Sequence, residues 1–543
     1  MHPIIVYLAV GTLISTVAAT QWPLFWWLTL ILVPLLFMAV VDASQTKQTI
    51  RRNFPLLGRG RYYVEAIRPF IRQYLMESDI DGAPINRMFR SVVYQRAKGE
   101  RDSVPFGTKV DVYRDGYEWI SHSMAANDLH HLDTNLRVLV GGSDCRQPYS
   151  ASIFNISAMS FGALSSNAIE ALNKGAQQAG CYHNTGEGSI SPYHEKHDGD
   201  LVWQIGTSYF GCRDDNGNFN PLMFQQKATQ ARVKMIEIKL SQGAKPGHGG
   251  ILPADKNTDE IAAIRHVSAH TQVDSPPAHT AFSTPKELLE FVQQLRDLSD
   301  GKPVGFKLCV GRRSEFASIC KAMLITGIKP DFITVDGGEG GTGAAPLEYS
   351  NSIGMPLRDG LAFVCDMLTG FGLKQEIKVI ASGKIISAFH LVKNLALGAD
   401  ICNSARGNMM ALGCVQSLIC NTNECPTGVA TQDQRLSKGL VVKDKAQRVY
   451  KFHHETVKAT ADIIASAGLS HTQQLNRGYI FRRVDQADIR RYDEIYPYLE
   501  ANCLTDEAHI PKRYIQTMAE ASPDTFVPDY DLSWVDGHLD QMS

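Results

Sequence analysis

Hydrophobic positions follow three different rhythms along the chain. From Met1 to Val41 there is no Asp, Glu, Lys or Arg, and two apolar runs, "PIIVYLAVGTLISTVAAT" and "WPLFWWLTLILVPLLFMAVV", stand almost back to back. Each is long enough for a membrane-spanning helix, which takes roughly 17–25 apolar residues. Trp22, Trp26 and Trp27 suit an interfacial belt. A cleaved signal peptide fits less well, because no basic segment precedes the first run and a second follows at once. A helical hairpin buried in a soluble body is the other reading of the same pattern. Lys47, Arg51, Arg52, Arg59 and Arg61 crowd in after the second run, and by the positive-inside rule they put that side in the cytoplasm. The expectation is a pair of transmembrane helices over residues 1–42 that anchors a cytoplasmic catalytic domain to the membrane.

Residues 43–140 begin with a basic amphipathic stretch, including "EAIRPFIRQYLM", and predict an accessory, mostly helical segment. From about 150 the pattern changes to short β-branched runs that end in Gly, Ser or Asn. They are "SIFNISAMSFG", "CYHNTGEGS", "LVWQIGTSYFG", "MIEIKLSQGAKPG", "PVGFKLCVG", "FITVDGGEGGTG", "IKVIASGKI" and "ADICNSARG". Helical patterns such as "SNAIEALNKGAQQAG" and "ISAFHLVKNLALG" separate several of them. Alternating strand and helix predicts parallel strands with crossover helices. Eight such units over roughly 250–300 residues fit a closed (β/α)8 TIM barrel better than an open sheet. The barrel is assigned to residues 141–480, and residues 481–543, rich in Asp, Tyr and Pro, predict a peripheral C-terminal tail.

Composition narrows the function classes. The 543 residues are 44% hydrophobic and 20% charged, with a net charge of −2, so no basic excess points to nucleic acid. The 11 cysteines are odd in number and scattered. That argues for reduced cytosolic thiols with room for one metal site, not a disulfide scaffold.

The polar strand ends carry the candidate chemistry. "VDGGEGGTGAAP" places Gly338, Gly340 and Gly343 after the strand "FITV". As a dinucleotide fingerprint it is weak, because Pro346 follows soon and no clean βαβ unit surrounds it. A turn with positive φ is the plain alternative; the preferred reading is a loop whose bare backbone lets a flat ligand lie close. "ASGKI" and "SARG" close strands seven and eight, whose loops in barrels often form a phosphate site at a short helix N-terminus. Lys384 and Arg406 would add charge there. Lys239 and Lys245 close strand four, and Lys307 lies on strand five. Lysines pointing into a barrel are costly unless they meet a charge, and an anionic ligand would supply one.

"GCVQSLICNTNECPTGVATQ" gathers Cys414, Cys420 and Cys425 in a C-x5-C-x4-C spacing. Two thiols with histidine would point to zinc, and four to zinc or a cubane cluster. The loop holds no histidine, no fourth cysteine follows at short spacing, and Cys402 on the preceding strand is the nearest addition. Three thiolates suit a three-iron cluster; chance gathering of buried cysteines is the alternative.

Together with "AKPGHGG", "GEGGTGAAP", "TGEGS" and "SAMSFGALS", this loop resembles the FMN-binding synthase domain of glutamate synthase, in the right order from about Cys145 to Ile480. The resemblance implies a (β/α)8 barrel carrying FMN and a [3Fe-4S] cluster held by Cys414, Cys420 and Cys425. The implied FMN contacts are Ala158, Met159, Ser160, Gln204, Lys307, Gly338, Gly340, Ser382, Gly383, Lys384, Ala405 and Arg406. Lys245 and Arg265 stand where the family binds the two carboxylates of 2-oxoglutarate, and Glu187 occupies its acidic position near the ammonia path. Glu187 and Lys245 are thus the expected catalytic residues. The family usually reads "AKPGEGGQLPG", whereas this chain has His248 and Ile251 in that stretch, so the implied substrate is 2-oxoglutarate or a related keto acid. A hydrophobic hairpin stands where the family carries its amidotransferase domain, and no large β-helix domain follows the barrel, so free ammonia is expected as the nitrogen source. Electrons are expected from a separate donor protein, a reductase subunit or a ferredoxin. The alternative readings are an FMN-dependent dehydrogenase on another anionic substrate, coupled to a membrane electron acceptor, and a non-catalytic electron-transfer subunit.

Overall fold

The computed structural model describes residues 2–128 and 132–528 and divides into two units, 1–87 and 88–543. The final part of the expected tail, 529–543, lies outside the described residues.

In the first unit the two apolar runs form helices Pro3–Ala19 and Phe25–Ser44, which pack against each other, with Thr29 Oγ1 donating to Ser15 Oγ at 2.9 Å. Among the described residues only Phe25–Ser44 is long and apolar enough to cross a membrane by itself. At 17 residues the first helix is about 25 Å long at 1.5 Å per residue, short of the roughly 30 Å hydrocarbon core. Helices Thr49–Asn53 and Leu57–Ile71 follow.

In the second unit all eight β-branched runs become strands of one closed parallel barrel. In chain order these are β1 Phe154–Ile156, β2 His183–Asn184, β3 Leu201–Ile205, β4 Val233–Lys239, β5 Val304–Leu308, β6 Phe332–Asp336, β7 Lys378–Ser382 and β8 Ile401–Ser404. Sequence neighbours pair throughout, and Ser404 of β8 lies beside Ile156 of β1 to close the ring. Strands buried on both faces need no polar alternation, and every residue of β3 and β5 is buried. The crossover helices are cut to length by local signals. Ser165 caps Ser166–Ala179 through the N–H of Ala168, and Gly180 ends it at φ +64°. Thr284 and Glu287 form a reciprocal capping box at the start of Pro285–Leu298.

The periphery departs from the expected division. Residues 43–140 are helical only as far as Lys98; beyond it, Pro105, Gly107 and Gly116 interrupt the pattern and two short strands follow. Glu118–Ile120 pairs with Ile480–Arg483, which pairs in turn with Ile489–Arg491. The expected boundary at 480 therefore falls on a strand. Half-buried Glu118 ties this sheet to the barrel's helices through Arg358 and, at 3.1 Å, Lys393, and it also meets Arg482 of the paired strand at 3.1 Å.

Candidate active site

Parallel strands place side chains of like parity on one layer, and the layers at the strand C-termini are polar. On β4, Glu237 and Lys239 are two apart and both buried. The Glu237 carboxylate accepts from Asn184 Nδ2 at 2.8 Å, Gln204 Nε2 at 2.6 Å and Thr334 Oγ1 at 2.7 Å, so β2, β3 and β6 converge on one acid inside the barrel. Gln204, expected to face the flavin, is committed to this network. Lys307 Nζ sits 3.3 Å from Asp336 Oδ2, while Asp336 also accepts the Gly243 N–H at 3.0 Å. Burial works against the Lys307 ammonium, but Asp336, Glu237 and Glu187 outweigh it and raise its pKa.

Above this layer Glu187 Oε1 meets Lys239 Nζ at 2.8 Å. Burial pushes the Glu187 carboxyl up, yet Lys239, Arg265 and Lys245 together hold it below its ordinary value. Two glycines make room for it: a Cβ on Gly206 or on Gly250 would stand 2.6 Å from one of its two oxygens. Lys245 is buried, makes no hydrogen bond or ion pair through Nζ among the described residues, and has its pKa lowered by burial and by Lys239. Arg265, buried as well, donates to Phe161 O at 2.8 Å, stacks on Phe210 at 5.0 Å, and is pushed down to about 10 by burial. Lys239 and Lys307 thus have their own carboxylates, whereas Lys245 and Arg265 have no acid partner at salt-bridge distance among the described residues. A pair of buried cations with no ion-pair contact among the described residues is the environment an anionic substrate would complete. His248 lines the same crevice as Glu187 and Lys239, its ring edge-on to Tyr349, and Ile251 opens a short strand, Ile251–Leu252, beyond it.

Ala158, Met159 and Ser160 follow β1 and pack against the β2 loop, where a Cβ on Gly186 would come 2.7 Å from Ser160 N. Ser157 Oγ lies 3.4 Å from Ser382 Oγ, joining the ends of β1 and β7. Next to Ser382, Gly383 and Lys384 both take left-handed φ, +144° and +48°. Arg406, following Ala405 at the end of β8, donates to Glu339 O at 2.9 Å. Burial first, and the two charges' mutual repulsion second, lower the pKa of Lys384; burial lowers that of Arg406. Neither has an ion-pair partner among the described residues, which gives this corner the charge a phosphate requires. The plain alternative of a turn with positive φ does not hold for the glycine-rich loop. Gly338, Gly340 and Gly343 have no left-handed φ. Gly338 is held bare by Gly354 O, 2.6 Å from where its Cβ would stand, so part of the glycine requirement comes from protein packing close to protein.

The cysteine loop is fastened to the β1 turn. Buried Lys256 donates to Ala163 O at 3.2 Å, Cys420 O at 2.8 Å and Ala430 O at 2.8 Å. Gln432 Nε2 adds Gly162 O at 3.0 Å and Leu164 O at 2.9 Å, and the Tyr94 hydroxyl donates to Cys414 O at 2.7 Å. Gln416, Leu418 and Asn423 adopt φ of +56°, +59° and +64°. Burial drives Cys414 up to about 11, and burial plus Cys425 drives Cys420 up. Burial opposes the Cys425 thiolate too, but the Thr427 hydroxyl and the N–H groups of Ala430, Thr427 and Val429 prevail and lower its pKa. With Cys414 and Cys420 raised and Cys425 lowered, a cationic iron centre is what would let all three bind as thiolates. Among the described residues no group of three His, Cys, Asp or Glu side chains is gathered closely enough to hold a metal ion.

The conserved region of glutamate synthase matches residues 98–470, which hold all eight strands and every residue of this site except Tyr94. The chain belongs to the glutamate synthase family. It is 34% identical over 507 residues to the glutamate synthase large subunit-like protein YerD of Bacillus subtilis, covering 86% of this chain and 96% of that one. It is 32% identical to the archaeal glutamate synthase [NADPH] of Methanocaldococcus jannaschii over 59% of this chain, and spans only 60% of that relative's length. Among solved structures, a mandelate oxidase with (S)-mandelic acid covers 77% of this chain and 96% of its own at 16% identity, with a TM-score of 0.41. Within this family member, sequence reasoning missed Glu237, Asp336 and Lys256. Glu237 could have been found from its i, i+2 relation to Lys239 in "IEIK"; the other two owe their roles to loops far away in the chain.

Proposed function

We propose that this chain is a glutamate synthase-like oxidoreductase that reductively aminates 2-oxoglutarate, or a related keto acid, with free ammonia. Keto acid, ammonia, two electrons and two protons give the amino acid and water. The observation that carries the reading is the buried, acid-free pair Lys245 and Arg265 beside the Glu187–Lys239 ion pair. Lys245 and Arg265 bind the two carboxylates. Glu187, held ionised by three cations, orients ammonia through a hydrogen bond from its N–H and accepts a proton as nitrogen attacks the carbonyl carbon. Lys239 fixes the Glu187 carboxylate, and Gly206 and Gly250 leave room for it there.

In this reading Ser382, Gly383, Lys384, Ala405 and Arg406 would hold the phosphate of FMN. Ala158, Met159, Ser160, Gln204, Lys307, Gly338 and Gly340 would bind the rest of the flavin. Cys414, Cys420 and Cys425 would hold the [3Fe-4S] cluster, on a loop that the Lys256 and Gln432 bonds fasten to the β1 turn. When bound, the flavin supplies hydride and the cluster single electrons from an external donor protein. Residues 141–480 are the catalytic domain, residues 1–42 a membrane hairpin with the catalytic domain on the cytoplasmic side, residues 43–140 an accessory segment and residues 481–543 a C-terminal tail. Rapid mixing of the anaerobically reduced protein tests the assignment: 2-oxoglutarate with ammonium should reoxidise the flavin, and neither should do so alone. Reoxidation by a quinone but not by keto acid and ammonium would favour the membrane-coupled dehydrogenase instead.

A further inference from the structure

The first unit carries a feature that the enzyme reading does not use. Helix Leu57–Ile71 begins 13 residues after the apolar helix Phe25–Ser44 ends, and its start is pinned to the end of that helix by one acid. Asp42, fully buried, takes Arg51 Nη2 at 2.6 Å on Oδ1, and Arg59 Nε at 2.7 Å and the Leu56 N–H at 3.1 Å on Oδ2. Leu57, Val64 and Ile71 recur every seven residues, with Tyr63 and Phe70 flanking them, which makes one apolar face. That face is uncovered: Leu57 is 77%, Tyr63 68%, Val64 56% and Phe70 53% exposed. Arg61, Arg68 and Arg72 follow the spacing of an adjoining edge. Arg68 and Arg72 have no ion-pair partner among the described residues, and Arg61 has only exposed Glu65 at 3.9 Å. Between Lys47 and Met76 the chain holds seven Lys or Arg and one acid, Glu65.

We infer that helix Leu57–Ile71 lies in the plane of the membrane surface, its apolar face in the acyl boundary, and that Arg61, Arg68 and Arg72 bind anionic lipid headgroups. The inference rests on the membrane reading of the preceding hairpin. An amphipathic helix with aromatic and aliphatic residues on one face and arginines along its border is the composition of an interfacial helix. Its place is set by the Asp42 latch, which holds its first turn where the span emerges. Anionic lipid also answers the charge: arginines near such a surface each contribute about a fivefold preference.

Photo-crosslinking of the full-length protein in vesicles tests this. A photoreactive phenylalanine analogue replaces Val64, Phe70 or Glu65, with labelled phosphatidylglycerol or phosphatidylcholine in the bilayer. The Val64 and Phe70 probes should capture lipid, the Glu65 probe on the opposite face should not, and phosphatidylglycerol should be preferred. The preference should fall about tenfold or more in the R61Q/R68Q/R72Q variant, and high salt should mimic that loss. Capture of protein instead of lipid by the apolar-face probes, or lipid capture indifferent to headgroup charge, would overturn the inference. Flotation separates the two readings: protein that fails to float with vesicles sinks the spans themselves, whereas protein that floats without lipid capture sinks only the surface helix.

Discussion

Replacing Lys256 by Met keeps the volume of the side-chain stem and removes the ammonium that joins Ala163 O, Cys420 O and Ala430 O. Hydrogen bonds to a charged group contribute about 1.5–3 kcal/mol each. Part of that is offset by the cost of burying the ammonium, whose pKa is lowered by burial. About 3 kcal/mol remains for the segment that the lysine holds, so the loop should open locally about a hundredfold more often, at a factor of ten per 1.36 kcal/mol. Hydrogen exchange resolved by peptide is the assay. Amides of 414–432 in Lys256→Met should exchange about a hundredfold faster, with the barrel strands unchanged and iron content reduced. Lys256→Arg should not restore protection, because a planar guanidinium cannot reach three carbonyls arranged around one nitrogen. A folded Lys256→Met protein with wild-type exchange across the loop would refute the reasoning.

Lys245→Ala should raise KM for the keto acid by at least about tenfold, since one carboxylate loses a charged partner, while FMN content stays the same; a flavin-free variant would show the lysine to be structural. Gly206→Ala places a methyl 2.6 Å from the Glu187 carboxylate; it should move Glu187 off Lys239 and lower turnover about tenfold or more with the fold intact, as checked by steady-state rates and circular dichroism. Burial holds His183 and His390 down to about 3 and His279 and His453 down to about 4. All four stay neutral when folded and take protons only on unfolding as pH drops below about 6.5. Their contribution is therefore complete above that pH and lost below it, by about 2 kcal/mol per histidine at pH 5, so the melting temperature should fall between pH 7 and 5 and His183→Phe should lessen the fall.

The eight barrel strands were legible because strands buried on both faces need β-branched runs whatever their neighbours, and the turn residues that end each run are local. The polar site was legible only in part. Lys239, Lys245 and Lys307 stand out as charges in apolar surroundings, but the acids that Lys239 and Lys307 meet are set by pairings such as Lys239 beside Lys307, which join residues 68 apart. Lys256 sits in a short turn, "PADKN", that reads like any surface loop; its burial arises only when the cysteine loop folds over it. The glycines of "VDGGEGGTG" invite a ligand from sequence alone, which does not reveal that the 354 turn also packs against Gly338. The sheet of Glu118–Ile120 with Ile480–Arg483 joins segments more than 360 positions apart, beyond any local signal.

The central claim is that the cations around Glu187 join ammonia to a dianionic keto acid. Anaerobically reduced protein mixed with 15N-ammonium and 2-oxoglutarate, followed by mass spectrometry of the product, measures this directly. One 15N-labelled glutamate per flavin reoxidised is the expected result, with the yield lost in Lys245→Ala. Reoxidation of the flavin without any 15N-labelled amino acid, from 2-oxoglutarate or from other keto acids, would contradict it.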